Sequence, residues 1–239
     1  MHNTSKQLKL YSRQILKGKY KVVITALLLL VGVSILINIP FLIVMPREIT
    51  IMSQVLAFLT DFIISLLIML LTAGYLKFML KLTRGEETQN TDIFYCYKNK
   101  PDRYLIPAIF FGLITIVLNI PHTLFQLFAR PLFTSYIRFY IWSLIIGLIT
   151  SIFVILANLI LCIIYMEMLD NLQISPKRAI AQGIILIKGH TRELFYLILS
   201  FFGVSVLGVL SLYIGFLWIY PYMMETLIQF YFNIKQGNC

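Results

Sequence analysis

Asp61 offers the most chemistry in this chain because of where it falls, deep in the apolar run Ile49–Leu76, which holds no other carboxylate. In hydrocarbon an ionised carboxylate costs a few kcal/mol or more, so Asp61 is expected to face a helix bundle or a wet cavity. There it can bind a cation, relay a proton or meet a cationic ligand. A plainer role is open too: it stays protonated, or sits near the outer interface and hydrogen-bonds a neighbouring helix. Asn38, Asn119 and Asn158 also fall in apolar runs. Intramembrane amides can join helices for around 1 kcal/mol each. Pro40 and Pro121 free backbone carbonyls just after Asn38 and Asn119. Polar side chains beside a broken helix suit a transporter site, and they equally suit local satisfaction of a kink. Asp61, Asn38, Asn119 and Asn158 thus form the candidate intramembrane polar site.

Other chemistry is thin. His2, His122 and His190 are far apart, and no His-x-x-x-His or Cys-x-x-Cys spacing occurs, so no metal site is expected. Cys96, Cys162 and Cys239 are an odd, scattered set, poor material for a disulfide framework. Glu86-Glu87 resembles the glutamate pair of intramembrane CAAX-type proteases, but it sits in a polar connector without the downstream arginine or paired histidines. Gly-x-Ser-x-Gly elbows and Walker loops are missing. The expectation is a protein without cofactor, which is not an enzyme and does not power transport itself.

The elements that must position these residues are membrane helices. Val22–Met45, Ile49–Leu76, Tyr104–Ala129, Phe139–Met166 and Leu194–Ile234 hold only Asp61 and Glu225 as carboxylates. About 20 apolar residues span a bilayer core. The chain is 59% hydrophobic, with a mean hydropathy of +0.86 and only short connectors for any soluble domain. The first run is too long for a signal-peptide core and lacks a small-residue cleavage site. The last run would be about 60 Å long as one helix, twice what a crossing needs. Ser211, Tyr213 and Gly215 offer a turn within it. The whole chain is therefore read as one all-α bundle of six spans, near 22–45, 51–76, 104–128, 139–166, 194–211 and 214–234. A fifth span followed by a surface helix is the alternative.

Charge sets the orientation. Of the 20 basic residues, 17 fall in the N-terminal segment, the 77–103 and 167–193 connectors and Lys235; only Arg47, Arg130 and Arg138 fall on the other side. Such asymmetry marks the cytoplasmic face, with both termini inside. The net charge of +10 is then a margin for anionic lipid headgroups and does not point to nucleic acid. The Asn3-Thr4-Ser5 sequon would be cytoplasmic and without consequence. Weak repeats (Lys17-Gly18 with Lys188-Gly189, Asn38-Ile39-Pro40 with Asn119-Ile120-Pro121) suggest three related hairpins.

Two segments read as amphipathic interfacial helices. In 4–20, Leu8, Tyr11 and Ile15 share a face, with Lys9, Arg13 and Lys17 on another. In 175–188, Ser175 caps, Pro176 takes the first helical position, and Ala179, Ile180, Ile184 and Ile187 share a face until Gly189. Lipid sensing, partner docking and plain scaffolding all suit such helices. Gly203 and Gly208, with Ser34 and Ser205, are expected to permit close helix contact.

Leu16-Lys17-Gly18-Lys19-Tyr20, Gly74 with Arg84-Gly85-Glu86 and Asp92-Ile93-Phe94, and the block from Ser175 through Ile187-Lys188-Gly189-His190 and Leu199-Ser200-Phe201 to Pro221-Tyr222 and Phe230-Tyr231 form a pattern. It resembles the small bacterial membrane proteins of domain-of-unknown-function family 975, over nearly the whole chain. That family is found mainly in Gram-positive bacteria and is similar in turn to the membrane domain preceding some glycerophosphodiester phosphodiesterases. The resemblance implies a fold and a place in the cytoplasmic membrane, with no activity or site. A non-enzymatic factor is expected, acting through lipid, a membrane protein partner or self-association, as a transporter accessory or as protection against membrane-active peptides. The alternative is a small secondary transporter or channel using Asp61 and the asparagines.

Overall fold

A computed structural model describes residues 5–44, 51–129, 133 and 135–237. His2, Asn3, Thr4, Arg47, Arg130 and Cys239 lie outside the described residues. The order is α1 (Ser5–Leu16), α2 (Tyr20–Val44), α3 (Ile51–Arg84), a 3-10 turn (Asn90–Phe94), α4 (Tyr95–Lys98), α5 (Pro101–Phe128), α6 (Tyr136–Asp170), α7 (Pro176–Ile187), α8 (Thr191–Leu199), α9 (Phe202–Leu210) and α10 (Phe216–Gly237). No strand occurs among the described residues. Five stretches are long and apolar enough to cross a membrane: Tyr20–Pro40, Leu56–Arg84, Pro101–Gln126, Tyr136–Asp170 and Thr191–Leu210.

The sixth expected span, 214–234, lies in α10, which is not among them. Its composition explains why, since Tyr220, Pro221, Tyr222, Glu225, Gln229 and Asn233 interrupt the apolar run. Tyr220 meets Tyr75, Glu225 meets Thr83 near the end of α3, and Lys235 meets Glu167 and Asp170 at the end of α6. The helix thus packs against the C-terminal parts of α3 and α6. α1 packs against it, so both ends of the described chain share one end of the molecule, here termed the basic end.

The fifth stretch is broken between α8 and α9 at Ser200-Phe201. Lys9 Nζ donates 2.8 Å to the Ser200 carbonyl that the break exposes and lies 4.0 Å from the centre of the Phe201 ring. Arg13 Nε donates to the Tyr222 hydroxyl at 3.1 Å, and Tyr222 meets Phe201 edge-on at 5.2 Å. Burial, with the Arg13 charge beside it, holds the Lys9 ammonium below the usual lysine pKa. Beyond the break, α9 and the start of α10 form a hairpin closed at Gly208. A Cβ there would lie 2.9 Å from Phe216 and Ile219 side-chain atoms.

Tertiary packing buries part of each expected face, Leu8 on α1 and Ala179 with Ile187 on α7, and rotates the rest. On α1 the buried residues are Leu8, Ser12 and Leu16, and Tyr11 points outward. Contact with α10 selects this face, and the Ser12 hydroxyl is satisfied by the Leu8 carbonyl at 2.8 Å. On α7 they are Ala179, Gly183 and Ile187, with Ile184 exposed. Gly183 permits the approach, since a Cβ there would lie 2.4 Å from Ile164 Cγ1. Ser175 occupies the N-cap position but makes no side-chain cap bond. Gly203, expected at a helix contact, has nothing within 4 Å of a built Cβ. Ser34 donates to the Leu30 carbonyl of its own helix.

Candidate functional site

The four predicted polar residues do not converge. Asp61 lies on an exposed face of α3, because α3 turns Phe62 and Leu66 toward Gly112 of α5. Asn38, Asn119 and Asn158 are half-buried, and each side-chain amide donates to the carbonyl four residues back: Ser34, Thr115 and Val154, at 2.7, 2.8 and 2.9 Å. They satisfy their own helices rather than joining two.

Of the four, Asn119 alone lines the open groove of about 590 Å³ between α5 and α6, which His122, Tyr140, Ser143, Gly147 and Thr150 also line. Sequence reasoning set His122 aside for want of a second histidine. Its partners are of other types: Gln126, one turn on, lies 3.2 Å from His122 Nε2, and Ser143 Oγ lies 3.4 Å away. Gly147 leaves space for the ring, 3.3 Å from a built Cβ. Two more of the groove's hydroxyls are spent locally, Thr150 and Ser151 both donating to the Gly147 carbonyl.

A denser polar cluster sits at the basic end. Glu167 and Asp170, one turn apart on α6, meet Tyr231 and Lys235, one turn apart on α10. Tyr231 donates to Glu167 at 2.7 Å; Lys235 donates to Glu167 at 2.9 Å and to Asp170 at 2.6 Å. Arg84, ending α3, pairs with the other oxygen of Asp170. Two carboxylates and two cations cancel, so the cluster clamps three helices without leaving a buried net charge. Burial alone works against the Lys235 ammonium, but the hydrogen bonds and charges of Asp170 and Glu167 outweigh it and raise its pKa above the ordinary lysine value. Burial likewise raises the Tyr231 phenol, aided by the bond to Glu167. The signal was present in sequence as Glu-x-x-Asp facing Tyr-x-x-x-Lys, but nothing in the one-dimensional order pairs them.

Glu225 is fully buried beside this clamp. Thr83 Oγ1 lies 2.9 Å from its carboxyl and 2.8 Å from the Met79 carbonyl. One hydroxyl hydrogen serves one of these; when it goes to Met79, a proton on Glu225 must fill the other. Burial pushes the Glu225 carboxyl above the usual carboxylate pKa, partly offset by the Gln229 and Thr83 hydrogen bonds and by the Lys19 charge.

The connector after α3 folds back onto it. A Cβ on Gly74 would lie 1.7 Å from the Ile93 carbonyl oxygen, so only glycine admits the connector. Asp92 accepts the Gln89 N–H at 2.9 Å and the Lys81 ammonium at 2.6 Å, holding the 3-10 turn in place. Cys96 is buried there; burial pushes its thiol up to about 12, the Lys77 charge opposing, which makes it a poor nucleophile. Arg103 of α5 donates to the Asn171 carbonyl at 2.9 Å, to Met168 at 3.3 Å, and to Leu172, capping the C-terminus of α6.

Long apolar helices, clamped at one end by neutralised charge, define an all-α polytopic helix bundle built for a membrane. Among the described residues no three histidine, cysteine or acidic side chains are grouped to hold a metal ion. The family model described as Protein of unknown function (DUF975) matches residues 1–238, and the chain belongs to that family. No curated protein and no solved structure matches the chain, and the likeness to glycerophosphodiester phosphodiesterase membrane domains therefore has no support from them.

Proposed function

We propose that this is an integral protein of the bacterial cytoplasmic membrane that acts through contacts of its basic end with lipid or with a membrane protein, and not by catalysis. The observation that supports this reading is the division of the molecule. The basic end gathers α1, α7, α10 and the connector into one interlocked assembly, which presents most of the chain's lysines and arginines. The long helices beyond it expose aliphatic side chains on most faces, as lipid-bathed helices do.

With lipid around those helices, the positive-inside rule puts the basic end in the cytoplasm. Both termini fall there, and α8, α9 and α10 leave and re-enter the same side. Anionic headgroups are the natural counter-ions of this margin, and a transporter accessory or a factor protecting against membrane-active peptides is the role in view.

Complementation of a deletion strain tests this, with peptide sensitivity as the readout. Asp61→Asn is expected to restore resistance fully, while reversing exposed basic residues (Lys17→Glu with Lys177→Glu) is expected to fail although the protein is still made and inserted. The opposite pattern, with Asp61→Asn inactive and the charge reversal active, would overturn the reading in favour of ion-coupled transport.

A further inference from the structure

We infer that a second cavity, at the basic end, is a binding site for a phosphoryl group. It measures about 340 Å³ and lies where the connector ends, α5 begins and the chain leaves α6; Tyr95, Lys98, Asn99, Lys100, Arg103 and Tyr104 line it. Three of these six are cations, two carry phenol hydroxyls, and none is a carboxylate. Asp102, the nearest carboxylate in sequence, is exposed and does not line the cavity.

The two lysines are not consumed by the fold. Lys98 and Lys100 are exposed, and neither takes part in an ion pair among the described residues. Arg103 is oriented by three carbonyls at the end of α6, which carry partial charge only, and its Nε is buried with no acceptor. The arginine is thus fixed in place but not neutralised. α5 starts beside the cavity at Pro101 with no side-chain cap, its N-terminal partial positive charge opposed by Asp102 in the first turn and by the C-terminal end of α6.

Lys100 sharpens the case. It adopts a left-handed backbone, φ 52°, as Leu212 and Tyr213 do between α9 and α10, whereas the left-handed bends after α1 and α3 are filled by glycines, Gly18 at 80° and Gly85 at 74°. Glycine would relieve that strain; a lysine brings an ammonium to the cavity instead. Tetrahedral oxyanions are the ligands that several N–H and O–H donors of this kind recognise together. The cavity opens at the basic end, beside the last turn of α6. A headgroup phosphate and a free phosphorylated solute share this chemistry. The inference rests on the reading of the basic end as a lipid-facing margin only for the lipid source.

The test uses the full chain in a neutral detergent, with binding of short-chain phosphatidylglycerol measured by native mass spectrometry and inorganic phosphate as competitor. Lys98→Ala with Lys100→Gly is expected to weaken binding about tenfold or more, as loss of charged hydrogen bonds predicts. Because glycine suits the bend, the melting temperature should not fall. Lys177→Ala with Arg178→Ala, an equal loss of charge on α7, is expected to bind as the wild type does. Competition by millimolar phosphate supports the site with a soluble ligand as source; lipid binding indifferent to phosphate supports it with a headgroup as source. Equal weakening by both double variants, or no binding of either probe, overturns it. A Lys98→Ala, Lys100→Gly protein that loses binding yet complements the deletion strain keeps the site and sinks its place in the proposed function. The same protein binding normally but failing to complement sinks the site alone.

Discussion

The two ends of α6 are made of much the same residues and live in different surroundings. From Leu161 to Leu169 nine consecutive residues are buried, so protein encloses the helix on every side. From Tyr136 to Leu156 only Phe139, Ser143 and Thr150 are buried. α3 divides in the same way: Leu70 to Leu82 is almost wholly inside, while toward its start Ile64 is buried among exposed Phe58, Leu59 and Ile63. Length explains the split. Helices of 34 and 35 residues are about 50 Å long, some 20 Å more than a hydrocarbon core needs. The surplus must be covered by protein, and α1, α7, α10 and the connector cover it. An apolar side chain in the open half already has lipid as its solvent and gains little from packing; one in the sheathed half is withdrawn from water.

Substitutions should therefore cost much at the basic end and little beyond it. The largest effect is expected at Gly74, where a new Cβ meets a backbone carbonyl that cannot swing aside. Gly74→Ala should lose about 3 kcal/mol, whereas Gly203→Ala, with open space around it, should melt at or slightly above the wild-type temperature in detergent. Equal melting of the two would break the comparison.

Next comes the clamp. Lys235→Met leaves Glu167 and Asp170 short of a cation and should cost about 2 kcal/mol, the lysine being one-third exposed. Because the folded pKa of Lys235 is raised, its contribution is complete below the ordinary lysine value of 10.5 and is lost as pH climbs through the folded one. The stability gap between wild type and variant should stay constant from pH 6 to about pH 9 and close above roughly pH 10.5. A gap that closes near neutrality would show that the lysine is not held as described.

Glu225→Gln is expected to act in the opposite direction. A raised carboxyl pKa favours folding while the proton is on, so the contribution is present below the ordinary value of 4.5 and lost as pH rises through the folded one. At pH 7 the glutamine, which can donate to Thr83, should be more stable than wild type by about 1 kcal/mol. Chemical-denaturation midpoints should converge as pH falls toward 4.5, and a destabilised Gln variant at pH 7 would refute this. The smallest effects belong to the open half. Asn38→Ala, Asn119→Ala and Asn158→Ala each remove a bond to the residue's own helix and should change stability by about 0.5 kcal/mol or less; a loss of about 2 kcal/mol at any of them would reveal a helix-joining amide.

Some of this was legible without coordinates. Long uncharged runs can be satisfied only as helices in lipid, so the all-α class follows from composition. The amphipathic segments at 4–20 and 175–188 announced themselves by period, although Ser12 and Gly183, not Tyr11 and Ile184, face inward, because a protein neighbour and not lipid alone selects the face. The four intramembrane polar residues were visible as exceptions to hydropathy, but hydropathy carries no azimuth, and Asp61 turned out to lie on an outer face. Glu225 counted in sequence as one carboxylate in the 41-residue apolar run Leu194–Ile234. Only the fold showed that its half of the run packs against the C-terminal parts of α3 and α6. The Gly74–Ile93 contact and the Glu167–Asp170–Tyr231–Lys235 clamp depend on which distant segments meet.

Composition decided that these helices need a lipid solvent, since no arrangement of so many aliphatic side chains could be buried in a chain of this size. Which helices continue beyond the bilayer, what sheathes them and which charges cancel there were decided by tertiary contact alone. Pairwise packing and ion pairing depend on distances between segments, and those distances leave no trace in local periodicity.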